Sequence, residues 1–404
     1  MEFLTVETPE IATSYLRSEM ERFGKDKRQP VNLVQFGWDT IWRELVNVGI
    51  YRRGPDVAEV GTTWLESLVA MQSLNSFSAQ DVNQIGGKRI FFPAAWQNVV
   101  LLDEQQIWGI PFRAEARVIF YWKDMFEKAQ VDTHEVFSTT ENMVAAFTKL
   151  QEAGISAWVV PTDGDDHDTV YNIASWIWGA GGDFLSSDGR RTHFNSPDSQ
   201  RGIRAYFDLL RFMPHQTSLL SYSDALDLFF ARKAAAIIGG PWVLNSMRLE
   251  ENMAKWLPHL GIALPPGPSF VGGTLLVIWK HSKYPWDAVE FITRLTSTEF
   301  QMKYCQISGL LPVRQDIWTD EFIHSDEYFP VLNKAISTGR GLPPAALWGI
   351  IEDRISKTIG AIWQDLYALN MPGKPIKTLD GIISKHFETL ATRLDLTLSA
   401  SHSP

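Results

Sequence analysis

Phe3-Leu4-Thr5-Val6, Val31-Asn32-Leu33-Val34-Gln35-Phe36 and Asp56-Val57-Ala58-Glu59-Val60 are three short apolar stretches within the first 60 residues. Each reads as a strand, and a helical pattern follows each of them. The first helix is expected from Pro9 to Phe23, with proline in the first turn where its missing N–H costs nothing. The second runs from Asp39, a side chain suited to N-capping, to Val48. The third is introduced by Thr62 and Thr63 and continues through Leu74. Strand and helix alternating at this spacing imply βαβ units and a mostly parallel sheet, hence an α/β fold. In such sheets ligands bind beyond the carboxyl ends of the strands. That rule makes Glu7 and Thr8, Gly37 and Trp38, and Gly61 to Trp64 site candidates.

The same alternation continues. Arg117–Trp122, Ala157–Val160, Ala234–Ile238 and Val271–Trp279 read as strands. Residues 139–153, 168–180, 197–212, 223–232, 285–296 and 298–306 read as helices. A chain of 404 residues exceeds one compact core and suits two lobes. Apolar residues at 45% and charged residues at 21% fit a globular protein rather than a disordered one. The net charge of −10 and the lack of any basic run argue against a nucleic-acid partner. The single cysteine, Cys305, excludes an intrachain disulfide and reads as a small buried residue. No stretch approaches the roughly 18 consecutive apolar residues that a membrane span requires. Met1 leads directly into the first strand, so no secretory signal is expected: either one has been removed or the protein stays inside.

Tryptophan is in excess, at sixteen, and many of these residues stand beside turn residues: Trp38 after Gly37, Trp178 before Gly179, Trp242 after Pro241, Trp348 before Gly349. Flat indole faces at loop and helix ends suit the C–H faces of pyranose rings. Set against this, any single tryptophan serves equally well as core packing.

Four segments in order resemble the family 1 extracellular solute-binding proteins, the maltose-binding-protein-like receptors. The first is Trp108-Gly109-Ile110-Pro111-Phe112-Arg113-Ala114-Glu115 leading into Ile119-Phe120-Tyr121-Trp122-Lys123-Asp124-Met125-Phe126, with Trp122 where the family usually carries asparagine. The second is Gly181-Gly182 followed by Ser187-Asp188-Gly189-Arg190 and Phe194-Asn195-Ser196-Pro197. The third is Phe229–Gly240 ending in Gly240-Pro241-Trp242. The fourth runs from Leu264-Pro265-Pro266-Gly267 through Gly272-Gly273 to Ser308-Gly309-Leu310-Leu311-Pro312-Val313-Arg314. The resemblance spans roughly residues 2 to 390.

It implies a two-lobed periplasmic-binding-protein-like fold of type II, each lobe a mixed, mostly parallel sheet flanked by helices. One lobe is expected from residues 1–110 plus 270–312 and the other from 111–269 plus 313–396, with 397–404 a disordered tail. Three hinge crossovers are expected near 110–116, 268–273 and 309–316. It further implies a carbohydrate, of di- or oligosaccharide size, bound in the cleft between lobes that close on it. The partners would be the membrane permease subunits of an ABC importer, the receptor a monomer, the location extracytoplasmic, and no cofactor or metal is expected. Carried over by position, the ligand-binding candidates are Glu7, Thr8, Trp38, Thr62, Thr63, Trp64, Arg113, Glu115, Tyr171, Asn172, Trp176, Trp242, Gly272, Gly273, Arg314 and Trp348.

Two other readings compete. A glycosidase needs two carboxylates across a scissile bond, and no recognisable catalytic segment, P-loop, GxSxG or HExxH is present. The acidic run Asp163-Gly164-Asp165-Asp166-His167-Asp168 lacks EF-hand spacing and reads as a solvated loop capping the following helix. A cytoplasmic or sensor-linked carbohydrate receptor would keep the fold and change the partner.

Overall fold

The computed structural model describes residues 1–101, 106–165, 167–216, 218–342, 345, 347–369 and 378–401. Its strands are, in chain order, β1 (Glu2–Val6), β2 (Asn32–Phe36), β3 (Val57–Gly61), β4 (Leu74–Asn75), β5 (Ile110–Ala116), β6 (Val118–Trp122), β7 (Trp158–Val159), β8 (Ala236–Gly239), β9 (Leu260–Ala263), β10 (Val271–Trp279) and β11 (Leu311–Pro312). The chain divides into two compact units. The first holds Met1–Glu115, Val271–Ser337 and Pro344–Trp348; the second holds Ala116–Phe270, Thr338–Pro343 and Gly349–Pro404.

The sheet of the first unit has the order β11-β5-β10-β3-β1-β2, with β4 paired to β10. The three opening strands are parallel, Val6 opposite Phe36 and Leu4 opposite Ala58. Beyond β3 the sheet turns antiparallel, because β10 returns against β3 and β11 against β5. Central strand β3 is buried at every residue, as a strand covered on both faces must be, whereas edge strand β2 stays partly exposed. Leu4, Val6, Ala58, Val60, Leu275 and Val277 of the sheet meet Ile41, Leu45, Leu65 and Leu68 from the helices. The second helix begins at Trp38 with Gly37 as its N-cap; Asp39, expected as the cap, sits in the first turn, where an acidic group complements the helix dipole. The third, expected unbroken through Leu74, is a short turn of 3₁₀ helix at Thr62–Trp64 followed by a helix over Leu65–Ala70.

The sheet of the second unit has the order β7-β8-β6-β9, with β7 parallel to β8 and β6 antiparallel to both β8 and β9. Large rings fill its core. Trp122 stacks on Phe229 at 4.8 Å and donates its indole N–H to the Phe229 carbonyl at 3.0 Å, and Trp363 packs edge-on against Phe207 at 4.8 Å. The helices Asp168–Gly179 and Pro197–Asp208 cross at Gly202, where an added Cβ would stand 2.3 Å from the Trp176 carbonyl oxygen.

Two expectations about organisation require correction. Residues 313–337 pack with the first unit, not the second, because Leu311 and Pro312 pair with Ala114 and Arg113 and hold the succeeding segment on that sheet. The chain therefore leaves the first unit after Ser337, later than the crossover expected at 309–316. The tail expected to be disordered from 397 is instead the end of a helix, Leu379–Ser401; residues 402–404 lie outside the described residues. Leu394 and Leu398, one turn apart, are both buried, and Asp395 accepts the backbone N–H of Thr192 at 2.7 Å.

Cys305 is buried in the helix Thr298–Ser308. Burial pushes its thiol up to about 12, with the neighbouring Arg113 charge acting against the shift and Glu59 adding to it. A thiol held protonated is not nucleophilic. Ellman's reagent at pH 8 is expected to leave Cys305 unmodified in the native protein and to titrate one thiol in urea; native-state reaction on the mixing time would contradict this.

Candidate functional site

In the first unit, parallel register brings the ends of β1, β2 and β3 side by side. Glu7 and Thr8 follow β1, Gly37 and Trp38 follow β2, and Thr62, Thr63 and Trp64 follow β3, so these predicted residues share one edge of the sheet. The Glu7 N–H donates to the Phe36 carbonyl at 3.0 Å, tying the two exits together. An added Cβ on Gly37 would lie 3.7 Å from a Glu7 carboxylate oxygen. Three tryptophans gather here. Trp64 is buried, its ring centre 5.7 Å from that of Trp38 and 5.3 Å from that of Trp42. Trp38 is 52% exposed, an open indole braced from below. Gly61 leaves room for the Trp64 indole, which would stand 3.2 Å from a Cβ there. Trp42 was missed from the sequence; its spacing of four residues from Trp38, which places both on one helix face, was the available signal.

Beneath this edge lies a buried polar cluster. Glu59 of β3 is wholly buried and accepts from the Thr5 hydroxyl, from the Val6 N–H at 3.4 Å and from Arg113, whose Nε lies 2.8 Å away. Arg113 is only 2% exposed, so it joins β5 to β3 rather than presenting donors at the surface. Burial opposes its charge, yet the Glu59 carboxylate and its hydrogen bonds more than compensate, and the guanidinium pKa stands above its usual value.

In the second unit, Tyr171 and Trp242 are partly exposed and flank a buried arginine absent from the candidate set. The Arg117 guanidinium carbon lies 4.7 Å from the Trp242 ring centre and 5.2 Å from that of Tyr171. It is ion-paired with Asp168 and donates to Asn172 Oδ1 at 3.4 Å. Tyr171 in turn stacks on Phe270, rings 4.4 Å apart and 7° from parallel. The Trp242 indole N–H donates to the Tyr222 hydroxyl. Glycine at 240 lets the Trp242 ring fold back over the chain, since a Cβ there would lie 2.1 Å from it.

The remaining candidates fall elsewhere. Trp176 is core, 2% exposed and edge-on to Tyr206 at 5.1 Å, and Asn172 is wholly buried beside Arg117. Arg314 clamps Asp316 with two nitrogens, at 2.9 and 2.5 Å, and donates a third hydrogen bond to the Thr296 carbonyl at 3.0 Å. Trp348 is 3% exposed at the start of the helix Trp348–Ala368. Glu115 is half-buried on β5. Gly272 is buried and Gly273, at φ +127°, abuts the Arg113 carbonyl. In the acidic loop, the Asp165 N–H turns back onto Asp163 Oδ1 at 2.9 Å and Asp168 is held by Arg117, while Asp166 lies outside the described residues. Among the described residues no group of three or more His, Cys, Asp or Glu is arranged to hold a metal, and no helix is long and apolar enough to cross a membrane.

Comparison with known proteins agrees with this architecture. A sugar-binding protein from Xanthomonas citri superposes with a TM-score of 0.81 at 18% identity, covering 99% of this chain and 97% of that one. The GacH receptor of Streptomyces glaucescens, solved unliganded and with acarbose, gives 0.78 at 17% identity over 97% and 98%. By sequence, a binding protein of Brucella abortus is 22% identical over 334 residues, 81% of this chain and 79% of its own length. A maltotriose-binding protein of Pyrococcus abyssi is 19% identical over 62% of this chain and 55% of its own. Residues 20–331 match the profile described as bacterial extracellular solute-binding protein, and the chain belongs to that family.

Proposed function

We propose that this protein is the carbohydrate receptor of an ABC-type importer, binding a di- or oligosaccharide without transforming it. The observation that carries this reading is the pair of tryptophan sets, Trp38 over Trp64 and Trp42 in one unit and Trp242 over Arg117 in the other. Partly exposed indoles at strand and helix ends suit the apolar faces of sugar rings, while Glu7, Thr8, Thr62 and Thr63 can exchange hydrogen bonds with hydroxyls. The ligands named for the relatives, maltotriose and acarbose among them, are of this class. The family's description supports an extracytoplasmic location and permease subunits as partners.

A thermal-shift screen and calorimetry against mono-, di- and oligosaccharides, uronic acids, amino acids and polyamines test the proposal. A ligand bound only by the folded protein raises its melting temperature. Each of Trp38→Ala and Trp242→Ala is expected to cost about 1.5–3 kcal/mol of binding, roughly ten- to a hundredfold in Kd. Loss of the same sugar by both variants, with the sugar recovered chemically unchanged, is the expected result. Turnover of the sugar would replace the receptor with an enzyme. Shifts with amino acids or polyamines alone would end the carbohydrate assignment.

A further inference from the structure

We infer that Arg117 is a positioning residue for Trp242, an inference that rests on the carbohydrate reading and adds to it a residue that never touches ligand. Arg117 is 1% exposed, too deep to offer its donors to a sugar. Its guanidinium nevertheless contacts two partly exposed rings, Trp242 at 4.7 Å and Tyr171 at 5.2 Å, both within cation–π range. The groups around that guanidinium constrain it. Asp168, with a side chain 15% exposed, forms the ion pair, Asn172 accepts at 3.4 Å, and Tyr171 is itself fixed by stacking on Phe270. The Arg117 backbone N–H donates to the Phe270 carbonyl at 2.9 Å, so the arginine and the far ring of the stack share one anchor.

Trp242 needs such a support. It opens the short helix Trp242–Leu249 and its ring lies back over Gly240; Tyr222 meets the ring edge-on at 6.0 Å and accepts its indole N–H, while the Arg117 guanidinium bears on the ring face. A planar cation against the ring restricts its tilt, and a ring held in its bound orientation loses less entropy on binding. Phe270, Tyr171, Arg117 and Trp242 form a relay of planar groups whose last member is the sugar platform, and of these four only Arg117 is charged.

The test uses the full-length protein labelled with 5-fluorotryptophan, the Trp242 resonance being assigned by Trp242→Phe. Because Arg117→Met alone would strand the Asp168 carboxylate, the informative variant is Arg117→Met/Asp168→Asn, with Arg117→Lys as the conservative partner. The double variant is expected to shift and broaden the Trp242 resonance while those of core Trp158 and Trp363 stay in place, which reports an intact fold. Kd for whichever sugar the wild type binds is expected to rise about tenfold, and Arg117→Lys to recover part of that loss. An unchanged Trp242 resonance, or wild-type Kd in the double variant, would overturn the inference. Should the wild type bind no carbohydrate, the proposed function falls, and the Trp242 resonance still decides whether Arg117 holds the ring.

Discussion

Replacing Arg113 by methionine is expected to destabilise the first unit by about 3–5 kcal/mol, because it leaves the Glu59 charge buried without its counter-ion. Glu59 is 0% exposed, and the only contacts left to it among those described would be the Thr5 hydroxyl and a long one to the Val6 N–H. Neither neutralises a carboxylate in a low-dielectric interior. The ion pair itself is worth far less than that figure, since both charges were desolvated to form it. Arg113→Met/Glu59→Leu should therefore recover most of the lost stability. Arg113→Lys should fall between, keeping the charge but losing the fork that places Nε 2.8 Å from Glu59 Oε1. Urea titrations of the four proteins provide the measurement. A single methionine variant within about 1 kcal/mol of wild type, the span expected of exposed pairs, would show that the pair is not buried as described.

Gly273→Ala is the second large effect, expected to cost about 2–5 kcal/mol from backbone strain and overpacking together. Gly273 lies in β10 at φ +127°, a region essentially closed to residues bearing a Cβ. An added Cβ would also stand 2.0 Å from the Arg113 carbonyl oxygen and 2.9 Å from the Ala114 Cα, both backbone atoms of β5 that cannot swing aside. The β5–β10 pairing would have to open. Gly349→Ala is the control: an added Cβ there meets nothing and the residue is helical, so the change should be neutral or slightly stabilising. If Gly273→Ala unfolds at the wild-type urea midpoint, the close approach of β5 and β10 is wrong.

These two residues show where reading the sequence succeeds and where it stops. Strands β1 to β3 are legible from local patterning, and with them the gathering of Glu7, Trp38 and Thr62 at one end of the sheet. Those features depend on neighbours within a few residues. Arg113 and Gly273 stand among the candidates, Arg113 as a planar donor that could fork onto ligand oxygens. Arg113 is buried by Glu59, 54 positions earlier, and Gly273 is crowded by a carbonyl about 160 positions earlier. No local pattern encodes either partner. Trp176 and Trp242 illustrate the same limit, since both are tryptophans in mostly apolar surroundings. Only the packing of Trp176 on Tyr206, and the partial exposure of Trp242 above Arg117, separate the buried ring from the one proposed as a platform. Arg117, proposed to act from beneath Trp242, has no such signal in the sequence, since its burial and its contact with that ring are set by packing alone. The helical end of the chain, by contrast, could have been read from Leu394 and Leu398.

The order of strands in the first sheet has a consequence during synthesis. Strand β10 lies between β5 and β3, yet it is made about 200 residues after β3, a lag of roughly 10–40 s at ribosomal speeds of about 5–20 residues per second. Until then β3, destined to be covered on both faces and to bury Glu59, has an unoccupied edge. All four strands of the second sheet lie between Val118 and Ala263, so they emerge complete while the first sheet still lacks β10. The nascent chain thus carries an open strand edge while the roughly 200 residues between β3 and β10 are made, the situation in which a holding chaperone gains its grip.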